Sequence, residues 1–472
     1  MQKKILFLFF LSIWLQAKSN VIFDQYFGEG ALRIDCIHAG TAEEEFYAID
    51  ELWQEPFWGG SKTSLIDTSN LGNTLFQVFE KQTHTLIFSR GLCTIFEEWR
   101  TTEEAHQGIR RSFSESFRMP WPKFPVQISV SSRNRKGQFQ EIWNYEIDPS
   151  DPNIRKEIPY KNIKTVAYLN NGNPENKVDI VVLPEGYTKK EMKVFRKHVA
   201  RLFQRFFRTE PFASHQKDFN VWMIEFPSPE SGIDNPNKGI FRDTPFSSSF
   251  NALGIDRYVL TFDNKTVRKV ASRVPYDYIV IFVNEKKYGG GGIFNLYAIL
   301  TVAHERSETV FIHEFGHLFG GLGDEYYTSS VTYNEFYPLD VEPWEPNLTI
   351  CTDREQLKWK TWVNPETPIP TPWEKETFDL HQQEYQKTLA QFESIHAPKS
   401  KIDSLNASHS QWIKAFFASQ KFKDCVGAFE GAGYTSQGLY RPSLLCCMFS
   451  GNAEYDPVCR NAIERMILFH TK

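Results

Sequence analysis

Residues 307–327 read SETVFIHEFGHLFGGLGDEYY, and the reading of this stretch decides the rest. Val310, Phe311, Phe315, Leu318 and Phe319 give an apolar helix with Ser307 at its N-cap. Within it, His313-Glu314-Phe315-Gly316-His317 is an HExxH motif. Residues i and i+4 of a helix project from one face, so the two imidazoles can grip one zinc ion. Glu314 stands beside them, placed to deprotonate a bound water. Gly320-Gly321-Leu322-Gly323 then ends the helix, since glycine is poor in helix interiors. The turn is expected to bring Asp324 back as third ligand, with Glu325 as the other candidate. Three protein ligands leave one position open, as in a catalytic zinc site.

Outward from this motif the pattern is an α/β sheet with helix cover. Val178–Leu183 is a compact β run, and Thr188 with Glu191 forms a capping box. Met192, Phe195, Val199, Leu202, Phe203 and Phe206 then recur at helical spacing. Phe219–Phe226 and Tyr278–Val283 read as further strands. Four glycines, 289–292, precede an apolar run, Ile293–Val302, expected as one strand whose edge could pair with substrate backbone. Residues 375–424 are helix-like, with Tyr385, Leu389, Phe392 and Ile395 as a packing stripe.

Residues 20–155 carry a different signal. Val126, Ile128 and Val130 alternate with polar neighbours, and a turn at 134–137 leads to a second extended stretch, a hairpin pattern. Leu86–Phe88 and Cys93–Phe96 read as short strands, and a β-sandwich fits the region. It shows no acid–base or ligand constellation, so binding or positioning is its expected role. Turn-rich segments at 148–153 and 170–174 bracket the expected domain boundary.

Composition agrees with an exported globular protein. The 472 residues suit two or three domains at roughly 100–200 residues each. A net charge of −5 excludes a globally basic nucleic-acid binder. Residues 1–19 have the form of a signal peptide: Lys3 and Lys4, an apolar run from Ile5 to Leu15, then small residues from Ala17 to Ser19. The run is too short to span a bilayer, and no transmembrane segment is expected after cleavage. Secretion or a periplasmic location follows, which permits disulfides. The cysteine count is seven, with no Cys-x-x-Cys pair, and one of Cys446 and Cys447 is expected to pair elsewhere in the chain.

HEFGHLFGGLGDEYY resembles the metal-binding segment of the bacterial IgA-peptidase family of zinc metallopeptidases. VDIVVLPEGYT (178–188), YGGGG (288–292), TPIPTP (367–372), FEGAGYTSQGLYRP (429–442), Met448 and the segment Pro457–Arg460 match in order. The resemblance spans roughly 160–472, and the N-terminal part is similar to the extra domain of some members. It implies an α+β protein, with a β-sandwich followed by a metzincin-like zincin catalytic domain. It also implies zinc held by His313 and His317, Glu314 as base, and Met448 as the Met-turn residue. The usual metzincin third histidine would fall at Gly323; here the first carboxylate is Asp324. The expected activity is hydrolysis of peptide bonds in a protein or glycoprotein by Glu-assisted attack of zinc-bound water, with Tyr326, Tyr327, Tyr434 or Tyr440 assisting the oxyanion. Two rival readings are a thermolysin-type site using Glu335 or Glu342, and an adhesin with a structural zinc.

Overall fold

A computed structural model describes residues 21–156, 160, 163–328, 336–450 and 454–472. The expected signal peptide lies outside them, as does Glu335. The N-terminal part is built from two antiparallel sheets. One joins β1 (Phe27–Gly40), β2 (Glu45–Glu55) and β5 (Arg111–Pro122) in the order β2-β1-β5; the other joins β3 (Thr74–Glu80), β4 (Leu86–Leu92), β6 (Val126–Arg133) and β7 (Phe139–Ile147) in the order β4-β3-β6-β7. Alternate residues of both sheets meet in one core, among them Leu32, Ile34, Phe76, Val78, Phe117 and Ile128. Short helices α1 (Phe23–Tyr26), α2 (Ile95–Trp99) and α3 (Glu103–His106) flank it. The segment Cys93–Phe96, expected as a strand, opens α2 instead, because the Thr94 side chain accepts from the amide of Glu97 and caps a helix.

The second part is a six-stranded mixed sheet. Its strands are β8 (Lys164–Leu169), β9 (Val178–Glu185), β10 (Phe219–Glu225), β11 (Tyr278–Val283), β12 (Gly290–Ile293) and β13 (Tyr297–Thr301), in the order β12-β13-β11-β9-β10-β8. The four central strands run parallel and both edge strands antiparallel. Strands buried on both faces need continuous apolar runs, which β9 and β11 supply. Val178, Ile180 and Val182 pack on one side with α4 (Met192–Phe206), α6 (Ser307–Gly320) and α9 (Pro457–Thr471). Val181 and Leu183 pack on the other with α5 (Asn264–Ala271) and with Phe96, Trp99 and Phe113 of the N-terminal part. The six-stranded sheet and the sandwich therefore share core.

Two expectations need correction here. The run Ile293–Val302 is not one strand: Asn295 takes a left-handed φ of 55°, and the chain reverses so that β12 and β13 pair antiparallel. The edge is thus the glycine strand itself. Its outward groups are partly used, since Gly290 donates to the carbonyl of Arg257 and accepts from the amide of Val259. Residues 375–424 form a helical hairpin, α7 (Lys375–Ser394) and α8 (Lys399–Ser419), joined by its roots to a hairpin of β14 (Phe429–Ala432) and β15 (Thr435–Arg441). Its stripe is only half-buried and Ile395, past the end of α7, is exposed; Phe378, Phe416 and Phe417 are the residues that pack. Among the described residues no helix is long and apolar enough to cross a membrane.

Candidate metal centre and catalytic cleft

Helix α6 lies under β12 and β13 with Phe311, Phe315, Leu318 and Phe319 buried against the sheet. That leaves His313, Glu314 and His317 on its half-buried face. Ser307 is the first helical residue rather than the cap; its hydroxyl accepts from Arg201 (2.9 Å). Each histidine donates its Nδ1–H to a main-chain carbonyl: His313 to Cys447 (3.1 Å), His317 to Leu322 (2.6 Å). These bonds fix the tautomer and turn both Nε2 lone pairs towards each other, 3.1 Å apart.

The turn follows from Gly321, whose left-handed φ of 61° ends the helix, with the amides of Gly321 and Leu322 bonded to the carbonyls of His317 and Gly316. Gly323 then passes so close to Leu348 that a Cβ would stand 2.4 Å from that side chain, which leaves no room for a histidine there. Asp324 swings back: its Oδ1 lies 3.0 Å from His313 Nε2 and 3.2 Å from His317 Nε2. Tetrahedral zinc with nitrogen and oxygen donors at about 2.0–2.1 Å would set such atoms about 3.3–3.4 Å apart. The trio demands positive charge at its centre. Burial opposes charging the imidazoles, yet Asp324 raises His313 to about 10 and His317 to about 9, and the histidines hold Asp324 well below the usual carboxylate range despite its burial. Two tautomer-fixed imidazoles and a carboxylate at these spacings fit a zinc ion.

Glu314 lines a cleft of about 140 Å³ together with His313, His317 and Asp324. A Cβ at Gly290 would stand 2.9 Å from its Oε1, so the bare strand is what gives the carboxylate its place. Burial raises the Glu314 pKa, and the neighbouring imidazoles counter it. The cleft is walled by β12, Arg257, Trp344, Tyr326 and Tyr434, and also by Asn73 and Glu98 of the N-terminal part. Burial pushes Glu98 up to about 7; it accepts from the hydroxyl of Tyr258.

Residues 166–467 match the family described as IgA Peptidase M64, and residues 22–144 match the one described as Peptidase M64 N-terminus. The chain belongs to the IgA peptidase M64 family. It is therefore a peptidase, and its substrates are proteins. No curated protein matches the chain significantly.

In this M64 peptidase Met448 is fully buried beneath α6, its sulfur 3.0 Å from where a Cβ on Gly316 would lie. Glu325 faces away from the histidines and meets Asn347 and Cys459. Glu342 is committed to Thr349, the amide of Ile350 and Lys358. Of the four tyrosines, Tyr326 and Tyr434 line the cleft, and Tyr434 donates to Asp324 Oδ2. Tyr327 instead donates to Asp379 on α7, and Tyr440 lies on β15 away from the cleft. Sequence reading missed the sandwich's part in the cleft: nothing in the local pattern around Glu98 sets it apart from a surface glutamate. It also finds no acid–base or ligand constellation before residue 155, whereas His38, Glu45 and Glu97 bring donor atoms within 4.8 Å of one another, with Arg100 on Glu45, and Arg33, Asp35, Glu55 and Arg118 form a buried ion cluster. All seven cysteines are free thiols.

Proposed function

We propose that the chain is an exported zinc endopeptidase, with a metzincin-like catalytic unit (160–472) behind a β-sandwich (20–155) and a cleaved leader (1–19). The observation that carries the zinc reading is the convergence of His313 Nε2, His317 Nε2 and Asp324 Oδ1 within 3.0–3.2 Å of one another, beside a cleft that Glu314 lines. These three residues would hold the ion. When bound, zinc supplies a Lewis acid that polarises an amide carbonyl and acidifies a water molecule. Glu314 takes the proton from the attacking water as the carbon–oxygen bond forms, then delivers it to the leaving nitrogen as the carbon–nitrogen bond breaks. The Tyr434 hydroxyl turns from Asp324 to meet the oxygen that gains negative charge. Met448 supports the floor under His313 and His317. A structural-zinc adhesin would have no use for a carboxylate held in the cleft against a strand stripped of side chains.

The test is Glu314→Gln. The variant is expected to keep its zinc stoichiometry while hydrolysis of a peptide library falls by about 10²–10⁴-fold, the usual share of a general base. Undiminished cleavage would remove Glu314 from the reaction, and cleavage insensitive to chelator would remove zinc. Export is checked by sequencing the N-terminus of the extracytoplasmic protein, expected to begin near residue 20.

A further inference from the structure

Beside the segment that follows the histidines lies a second group of side chains with donor atoms suited to a metal, which the proposed reaction does not use. Glu325, Cys446, Asp456 and Cys459 are all buried, and their donor atoms all lie within 4.8 Å of one another. Cys446 Sγ stands 3.6 Å from Cys459 Sγ, and Cys459 Sγ stands 3.4 Å from Glu325 Oε1 and 3.6 Å from Asp456 Oδ2. A disulfide would bring the sulfurs to about 2.05 Å. Tetrahedral zinc, with sulfur at about 2.3 Å and oxygen at about 2.0–2.2 Å, gives sulfur–sulfur edges of about 3.8 Å and sulfur–oxygen edges of about 3.5–3.7 Å. The three edges that meet at Cys459 Sγ, 3.4–3.6 Å, are far from the disulfide length and within about 0.2 Å of the zinc figures.

The surroundings support a cation too. Asp456 spends its Oδ1 on the amides of Val458 and Cys459, capping α9, which leaves Oδ2 turned to the cluster. The amide of Met448 points at Cys446 Sγ (3.5 Å), the kind of N–H donor that steadies a ligating thiolate. Asn347 donates to Glu325 Oε1, yet Glu325 Oε2 is buried with no hydrogen-bond partner among the described residues. Arg441, whose charge acts on Glu325, gives its Nη1 to the carbonyls of Glu430 and Gly431, while its Nε and Nη2 are buried with no hydrogen-bond partner among the described residues.

We propose that Glu325, Cys446, Asp456 and Cys459 hold a second, structural zinc ion in addition to the catalytic one. Four protein ligands close such a site to water, so it does no chemistry. What it does is tie three segments together: the turn after α6, the Met448 segment and the start of α9. Glu325 adjoins Asp324, and Cys447, next to Cys446, supplies the carbonyl that orients His313. The ion would thus act as a positioning centre for the catalytic ligands.

Elemental analysis of the full-length protein is expected to find two zinc ions per chain. A His313→Ala/His317→Ala variant should keep one, and a Cys446→Ser/Cys459→Ser variant should keep the other. Should the cysteine variant fail to fold, the cobalt-substituted histidine variant still decides the matter. It should show the near-ultraviolet thiolate-to-cobalt band that a His, His, Asp site lacks. That band also separates this proposal from the catalytic one, because it survives loss of the histidine site. A single zinc lost with the histidines, a cobalt form without the band, or recovery of Cys446 and Cys459 as a disulfide from unreduced protein would each overturn the second site.

Discussion

Tyr434 holds a left-handed backbone conformation, φ 65°, that a bulky residue rarely adopts, and it does so with its hydroxyl on Asp324. The strain is held by two main-chain bonds, from Gly433 to Asp324 and from Tyr434 to Tyr326. Its ring packs on Tyr326 and Phe336, so Tyr434→Phe should fold and keep zinc. Removing the hydroxyl is expected to lower kcat by about 10²-fold with KM little changed, as for loss of one oxyanion donor; an unchanged kcat would return Tyr434 to a purely structural role. Asp324→Ala should lose zinc on dialysis, because two imidazoles alone make a poor site; full retention would point to a ligand elsewhere. At this scale the sequence was readable where chemistry is local. His313, Glu314 and His317 follow from helical spacing. That Asp324 rather than Glu325 turns towards the histidines does not: it depends on Gly321 turning left-handed and on the close passage of Gly323 by Leu348.

Strand β12 works by having almost no side chains. A Cβ on Gly292 would stand 2.4 Å from the carbonyl oxygen of Glu314, so the strand can lie on α6 only as glycine. Gly292→Ala is expected to destabilise the protein by about 1–3 kcal/mol through overpacking and to displace Glu314. The denaturation midpoint and kcat should fall together; a lowered midpoint with normal kcat would mean the helix yields without moving its carboxylate. The elements legible in sequence were those with strong internal periodicity, such as α4, entered through the capping box of the 3-10 turn 189–191, and the largely apolar β9 and β11. Those that failed were set by distant partners. The turn that splits 293–302 is held by Asn295, whose amide donates to the carbonyl of Leu318 and whose side chain donates to that of Gly91. An apolar run cannot announce such partners.

The two halves of the molecule are joined by buried charge and shared core. Arg118 of β5 donates to Glu55 (2.7 Å) and to the carbonyl of Tyr276 (3.0 Å) in the second half, and Asn264 of α5 donates to Ser116. Arg118→Ala leaves Glu55 with one buried partner, Arg33, and is expected to cost about 3–5 kcal/mol. Urea unfolding measures it; a loss under 1 kcal/mol, roughly the worth of a surface pair, would mean the junction is not held this way. Protons act on the neighbourhood of this junction in two opposite senses. His470 packs against Tyr278, Asp277 and Arg90, and burial lowers its pKa to about 3. The unfolded chain takes up that proton near pH 6.5, so stability present above pH 6.5 is lost as pH falls towards 3, by up to about 1.4 kcal/mol per unit. Asp277 works in the opposite sense: burial raises it to about 7, so its contribution is full below about pH 4 and is lost as pH rises through 7. The two slopes cancel between about pH 4 and 6.5, so denaturant midpoints at pH 4.5 and 6 should agree and the midpoint at pH 8 should be lower; a midpoint that rises from pH 6 to pH 8 would show that Asp277 ionises without penalty. The sandwich itself was legible from alternation, but its reach under the catalytic sheet was not, since Phe96, Trp99 and Phe113 look like any other core aromatics in sequence. Glu98 and Asn73 stand in the cleft from that same half. A chimera that kept this half but borrowed its front from another member of the family would carry new side chains at positions 73 and 98, in the wall of the cleft that holds His313, Glu314 and His317, and comparing its cleavage pattern with the parent's measures how far the front half chooses the bond.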